Sequence, residues 1–461
     1  MERTERRFED YLEHLAEGLG HVDRRAGLRG YCTGLMLPLA RKSVEPMAAG
    51  VDPDHVGARH QSLHHFVAKA AWSDEQMLER IRDWVAPKMG LEAGSYWIVD
   101  DTGFPKKGHH SVGVARQYCG VLGKQDNCQV AVSVTLSSDT ASLPVSWQLY
   151  LPQAWADDPE RRRKGGVPEA IEFSTKPQIA LQHIERLLVQ SAAPDCVLAD
   201  AGYGVDTAFR DRLSALGLTY LVGITSAIVV WPPEVDPLPP PAYSGQGRVP
   251  VQPRRTPQRQ PVSVKALAQS LPLRAFRTVQ WRQGTNQPLS GRFAAVRVRH
   301  AGGNQGRARL WPRQWLLIEW PKGDAEPAKY YLSTLPESAT LQELVSIAHR
   351  RWRIERDYQE LKQEFGLGHY EGRGWRGFHH HASLTIAAYA FLMAERLAGH
   401  RVRSQKNAAA RQTPVVPEAV VPRGRPSNAA SHPRLDPDAP PSPERPPRRR
   451  PQTMPLLRTA K

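Results

Sequence analysis

The sequence predicts an α/β layered fold, and three observations lead to it. First, short apolar runs at 95–101 (SYWIVDD) and 196–200 (CVLAD) each close on acids, as buried strands that deliver carboxylates do. Second, two β-rich runs, 127–136 and 143–151, flank the turn-forming SSDTAS. Third, helix and strand patterns alternate from 176 to 223: a helix at 176–192, the strand 196–200, a tight AGYG turn, a helix at about 205–216 and a strand at 219–223. Hairpin strands followed by alternating helices and strands make an α/β layer.

The flanks differ from this centre. Residues 1–90 read as helices, with Phe8, Tyr11, Leu12, Leu15 and Leu19 at three-to-four spacing on one face. Ser73 with Gln76 looks like a capping box opening a helix to about Trp84, and Pro87 stops it. Beyond 226, Pro-rich and Arg/Gln-rich stretches lead into β-like runs at 276–281, 291–298, 314–319 and 329–332. Helical patterning returns at 341–366 and 382–398. From 401 onward 13 prolines occur, and 13 Lys and Arg against 4 Asp and Glu leave a net charge near +9. Such a tail is expected to be disordered and either to attract phosphates or simply to solubilise the chain.

A chain of 461 residues with a formal charge of +16 has room for two to four domains and suits a polyanionic partner, nucleic acid first. None of Cys32, Cys119, Cys128 and Cys196 forms a CxxC pair, which argues against a zinc knuckle or a disulfide framework and for a reducing, cytoplasmic setting. The first residues lack the apolar segment of a signal peptide, and no run approaches 18 apolar residues, so no membrane span is expected.

Three acidic positions stand out. Asp100 and Asp101 close one strand, Asp200 closes another, and Glu355 lies in a strongly patterned helix. Phosphodiester chemistry uses such carboxylates to hold divalent ions that activate the attacking oxygen and stabilise the leaving one. Each acid also has an ordinary reading. Asp100 or Asp101 could cap the following loop, Asp200 could brace the AGYG turn, and Glu355 could pair with Arg351 on the surface. In RRWRIERDYQELKQEFG, Ile354, Tyr358, Leu361 and Phe365 make a core stripe. Arg351, Glu355 and Lys362 fall on an adjacent face along a line of roughly 16 Å. That face suits a metal-ligating Glu flanked by phosphate contacts, or a solvated salt-bridged surface.

The strings DDTGFPKKGHHSVGVARQYCGVLGKQDNCQVAVSV, VLADAGYG and RWRIERDYQELKQEFGLGHYEGRGWRGFHHHASLTIAAYAFL resemble one group of DDE transposases from bacterial insertion sequences, over roughly residues 8–398. The resemblance implies a ribonuclease-H-like core with an inserted, mostly β subdomain and a helical N-terminal domain. The implied segments are a DNA-binding region 1–90, the core at 91–225 and 336–400, the insertion 226–335 and the tail 401–461. By motif position the triad would be Asp100 (in D-x-T with Thr102), Asp200 (in DAGYG) and Glu355. Related enzymes carry Y-x2-R-x3-E-x6-K; Arg351, Glu355 and Lys362 match it, whereas Ala348 stands in place of the Tyr. Side chains alternate along a strand, so Asp100 and Asp101 cannot both face one metal pair; Asp100 is the motif position and Asp101 the alternative.

The resemblance further implies Mg²⁺, with Mn²⁺ as a substitute, holding to Asp100, Asp200 and Glu355. It implies strand cleavage at the element's end, then attack of the 3′-hydroxyl on target DNA. Terminal inverted repeats and target DNA would be the partners, and a homodimer on DNA in the bacterial nucleoid the working form. The alternatives are a nuclease that cuts without joining and a DNA-binding protein without catalysis. Besides Arg351 and Lys362, the lysines Lys106, Lys107, Lys124 and Lys176 are candidate DNA contacts, the last near the basic run 161–164. The run 379–381 (HHH) opens an apolar helix and reads as its cap rather than a hard-metal site. Trp281, Trp311, Trp315 and Trp320 could offer one ring to an unpaired base, or form subdomain core.

Overall fold

The computed structural model describes residues 2–236, 238–250, 256–282, 289–301, 311–321 and 323–411. The chain divides into two compact units, Met1–Asn407 and Ala408–Lys461. The sheet, the candidate site and the helices up to Asn407 belong to the first; of the tail expected over 401–461, residues 401–411 instead continue the last helix, and those beyond 411 lie outside the described residues.

Five helices come first: α1 (Glu2–Ala16), α2 (Arg24–Met36), α3 (Val44–Val51), α4 (Val56–Ala68) and α5 (Asp74–Val85). The apolar stripe of α1 is buried through Tyr11, Leu12 and Leu15. Ser73 caps α5 by accepting the Gln76 N–H at 3.2 Å, which satisfies one of the helix's orphan donors.

The central elements are β1 (Tyr96–Pro105), β2 (Ala115–Cys119), β3 (Lys124–Ser137), β4 (Ser142–Leu149), α6 (Gln153–Ala156), α7 (Pro159–Gly165), α8 (Lys176–Gln190), β5 (Cys196–Ala199), α9 (Ala201–Gly204), α10 (Thr207–Ala215) and β6 (Tyr220–Ile224). There follow β7 (Val229–Trp231), β8 (Val262–Ser263), α11 (Val264–Ser270), β9 (Arg277–Arg282), β10 (Leu289–His300), β11 (Gln314–Trp320) and β12 (Lys329–Ser333), then α12 (Leu341–Arg350), α13 (Arg353–Gln363) and α14 (Trp375–Arg411).

Among the described residues these strands make one mixed sheet in the order β2-β3-β1-β5-β6-β12-β11-β10-β7-β8, with β4 on β3 and β9 on β10. β1 is antiparallel to β3 and parallel to β5, and β5 is parallel to β6. The strands after 226 continue this sheet, because β12 lies antiparallel against β6 with Tyr330 opposite Ile224. Ile98, Val99 and Val197 are fully buried, as the run of apolar residues in a strand covered on both faces requires.

Two expectations need correction. β1 does not end at its acids: β3 pairs with it as far as Pro105 opposite Cys128, so Asp100 and Asp101 sit in mid-strand. The helix expected over 341–366 is broken at Arg351 and Trp352 into α12 and α13. The stripe of Ile354, Tyr358, Leu361 and Phe365 is nevertheless buried, with its first three residues on α13 and Phe365 just beyond it.

α14 ties the N-terminal helices to the sheet through three buried histidines. His379 accepts the Leu149 N–H at 3.1 Å and meets Trp375 O at 2.9 Å. His380 lies between Val67 O and Trp72 O, at 3.0 and 2.9 Å, and stacks on Trp72. His381 bridges the Tyr31 hydroxyl and Gly366 O, at 2.8 and 2.9 Å. These rings are structural cross-links within α14, which starts at Trp375, and not the cap of a helix opening after them. Burial pushes His380 and His381 down to about 4, and the buried His183 down to about 3.

The unfolded chain therefore takes up protons first as pH falls. The stability contributed by these neutral rings is complete above about pH 6.5 and is lost towards pH 4. In urea unfolding from pH 8 to pH 4.5 these rings should pull stability down below pH 6.5, against the raised Asp100 and Asp357 carboxyls, which favour the folded chain there. His381→Gln should flatten that slope by about one proton; identical slopes would show that His381 takes no part in it.

Candidate active site

Strand register does the first positioning. Val99 of β1 is level with Ala199 of β5. Asp100 in β1 and Asp200, just past the end of β5, thus follow at matching positions of two parallel strands, which lie about 4.8 Å apart. Asp200 then caps α9: its Oδ1 accepts the Gly202 N–H at 2.8 Å. The turn must lie flat on β6, because a Cβ at Gly204 would collide with Gly223 O, and one at Gly223 would come within 2.9 Å of Ala201 N. Arg210, fully buried, donates to Gly204 O and anchors the far end of the turn.

Alternation along β1 separates its two acids. Asp100 faces α13: Arg351 Nη1 donates to its Oδ2 at 2.8 Å, while Oδ1 accepts the Asp101 N–H at 2.8 Å. On the same face, Tyr358 shares a 2.7 Å hydrogen bond with Ser133, the residue opposite Asp100. Asp101 faces the other way. Its Oδ2 takes Lys176 Nζ at 2.9 Å and the Tyr203 hydroxyl at 3.3 Å.

Arg351 is the electrostatic centre. It reaches Glu355 Oε1 at 3.3 Å as well as Asp100. Burial acts to lower its pKa, but Asp100, Asp200 and Glu355 outweigh burial and hold it above the ordinary guanidinium value. Asp100 is raised to about 7, first by burial and then by Asp200, against the pull of Arg351. One cation thus lies within electrostatic reach of all three candidate acids. Glu355 is 55% exposed at its side chain, so the cluster opens to solvent on that side.

The basic candidates divide. Lys362 donates to Thr102 Oγ1 at 2.6 Å and Gly103 O at 2.9 Å, lies over the Phe104 ring, and is pulled down to about 8 by burial. It braces the strand that carries Asp100. Lys106 donates to Tyr370 O at 3.2 Å, Lys124 pairs with Asp126 at 3.2 Å, and Lys176 is held by Asp101. Lys107 is exposed. Each candidate tryptophan packs on a neighbour. Trp281 stacks on His349, Trp311 meets His300, and Trp315 and Trp320 lie beneath Arg297 and Arg292.

Sequence alone gives Tyr203 and Arg210 no part in the site. The signal for Tyr203 is its place within DAGYG, and Arg210 leaves none, because its partner is a backbone carbonyl.

Among the described residues no three His, Cys, Asp or Glu side chains stand close enough to hold a metal ion. The donor set nevertheless suits a hard cation, because its members are carboxylate oxygens. Crowding by burial and by Asp200 raises Asp100, and a cation would relieve both effects. No helix among the described residues is long and apolar enough to cross a membrane.

Asp100 in β1 and Asp200 just past the end of β5 thus come side by side in an α/β sheet, near the helix that carries Glu355. The chain belongs to the DDE superfamily endonucleases, whose family model matches residues 14–288. That stretch contains Asp100, Asp101 and Asp200, whereas Glu355 lies beyond it. The chain is also 33% identical over 194 residues to a protein of Microchaete diplosiphon named as a probable transposase for insertion sequence element IS701. The match covers 42% of this chain and 47% of that relative, so it spans about half of each.

If Lys362 is a brace, Lys362→Ala should lower the unfolding free energy by about 1–3 kcal/mol in the absence of DNA. A lysine that only meets phosphate would leave the urea midpoint unchanged.

Proposed function

We propose that this protein is a DNA transposase that cleaves the ends of an insertion sequence and joins the freed 3′-hydroxyl to target DNA. The observation that carries the reading is the placement of one cation, Arg351, among Asp100, Asp200 and Glu355. The relative's name and the family both agree with it.

In this reading Asp100, Asp200 and Glu355 hold Mg²⁺, or Mn²⁺ in its place. When bound, such an ion lowers the pKa of water and stabilises charge on a leaving oxygen. The chain's own residues supply the rest. Arg351 neutralises the acids while no substrate is present and offers a fork of donors to a phosphate once DNA arrives. Lys362 fixes the height of β1 through Thr102 and Gly103. Arg210 and the Gly204–Gly223 contact fix the turn from which Asp200 projects. Asp101 belongs to the opposite face, where Lys176 and Tyr203 occupy it. DNA-end recognition belongs to the helical region 1–90, and paired ends call for two copies of the chain. Exposed Lys107 is the candidate lysine best placed for a phosphate.

Cleavage of a labelled duplex bearing the element's own end, with Mg²⁺ or Mn²⁺, tests this. Asp100→Ala, Asp200→Ala and Glu355→Ala should each cost about 10³-fold or more in rate while the duplex still binds. Asp101→Ala should stay within about tenfold of wild type. An inactive Asp101→Ala beside an active Asp100→Ala would move the site to the other face of β1. A pre-cut end that never becomes joined to a target plasmid would reduce the protein to a nuclease.

A further inference from the structure

The second and third acids each have a tyrosine three residues further on: Tyr203 after Asp200, and Tyr358 after Glu355. Tyr203 lies on α9, which Asp200 caps, and Tyr358 on α13. Three residues make nearly one helical turn, so each ring stands beside the acid it follows. Both rings are buried. A buried phenol needs a hydrogen-bond partner, and both find one level with the first acid or next to it. Tyr203 donates to Asp101 Oδ2 at 3.3 Å, one residue past Asp100. Tyr358 shares its 2.7 Å hydrogen bond with Ser133, which is opposite Asp100 on β3.

The partners of both phenols are fixed. Lys176 Nζ holds the same Asp101 oxygen from α8 at 2.9 Å, and Ser133 is fully buried inside the sheet. The acids are less constrained by backbone. β5 pairs with β1 only as far as Ala199 opposite Val99, so Asp200 lies beyond the ladder. The break at Arg351 and Trp352 separates α13 from α12, so no longer helix holds Glu355 in place. Burial, Asp100 and Asp101 all raise both tyrosines and keep them neutral, and Tyr358 and Asp200 act on Tyr203 in the same sense. The two phenols and the acids thus lie within electrostatic reach of one another. A neutral phenol there adds no charge to the cluster; it adds a link of fixed length.

We propose that Tyr203 and Tyr358 are positioning residues whose hydroxyls set the distances of Asp200 and Glu355 from Asp100, Tyr203 through Asp101 and Tyr358 through Ser133. The inference rests on the reading that these three acids hold a divalent ion. Affinity for such an ion depends on the spacing of its ligands, most of all for Mg²⁺, which demands near-ideal octahedral geometry. Loosening either link therefore lowers ion affinity and leaves the chemistry of the loaded site largely intact. Asp101 gains a use that its direction on β1 does not suggest: it is the far end of a strut and not a ligand.

Tyr203→Phe and Tyr358→Phe remove one hydroxyl each and keep the rings. Two measurements on the full chain read the effect: Mn²⁺ binding without DNA, from the electron paramagnetic resonance signal of the free ion, and cleavage of the end duplex as Mg²⁺ is varied. Each variant should bind Mn²⁺ about three- to tenfold more weakly, somewhat less than the loss of a group that touches a ligand directly. The Mg²⁺ needed for half-maximal cleavage should rise by the same factor, with the rate at saturating Mg²⁺ within about threefold of wild type. Tyr203→Phe should add nothing once Asp101→Ala is present, and Tyr358→Phe nothing once Ser133→Ala is present, since each pair removes one contact. Unchanged Mn²⁺ binding in both Phe variants, where Asp100→Ala and Asp200→Ala abolish it, would overturn the inference and leave the ion reading standing. So would a cleavage rate lowered equally at every Mg²⁺ concentration, which is the mark of a lost folded fraction. Mn²⁺ binding that survives Asp100→Ala, Asp200→Ala and Glu355→Ala would bring down the ion reading and this inference with it. Should a Phe variant fail to fold, Asp101→Ala and Ser133→Ala, which remove the partners, decide in its place.

Discussion

The two-residue alternation of one buried strand governs the layout of the candidate site. β1 lies inside the sheet with helices over both faces, so consecutive side chains are committed to different environments. Asp100 is delivered to α13 and Asp101 to α8, and a slip of one residue would exchange them. The pairing with β3 over the whole of β1 makes such a slip expensive, because every inward side chain would turn outward with it. The choice between two adjacent acids is thus made by backbone pairing rather than by any property of the carboxylates.

Much of this was legible in the sequence, for identifiable reasons. The apolar run before Asp100, the run before Asp200 and the stripe on α13 are local periodicities, and local periodicity survives folding. The acids' surroundings were harder to read. Arg351 touches Asp100 across 251 residues of chain, and Lys176 touches Asp101 across 75. Nothing in sequence spacing announces such pairs. The lysines show the same limit. Lys362 reads as a phosphate ligand from charge and position, and its spacing does not announce the two hydrogen bonds that its ammonium makes to Thr102 and Gly103 of β1. The break at Arg351 and Trp352 was also hidden, since neither Gly nor Pro marks it.

The histidine run shows a residue type misleading in isolation and clear in place. Three consecutive histidines in isolation would suggest a metal, but the apolar run that follows already argues against it, and the helix they belong to is buried around them. A ring with two nitrogens can then join two backbone groups that no aliphatic side chain could satisfy. Val67 O, Trp72 O, Gly366 O and the Leu149 N–H all lie at or near places where regular secondary structure ends, and each finds its partner in this run. Neutral rings are the form that such a site requires, and burial holds them in it.

α13 is under a constraint like that of β1, because a helix short enough to be surrounded must give each face a separate task. One face, through Ile354, Leu361 and Tyr358, meets the sheet and fixes the helix in place. A second carries Glu355 and, with Arg351 just before the helix, meets Asp100. The third carries Arg353, Arg356 and Asp357 towards α14. The core face makes the other two rigid: a packed helix cannot rotate one of them inward without withdrawing the other. Any motion of Glu355 towards the strand acids must therefore come from the side chain or from the break at Arg351 and Trp352, where the chain lacks the continuous hydrogen bonding of a single long helix.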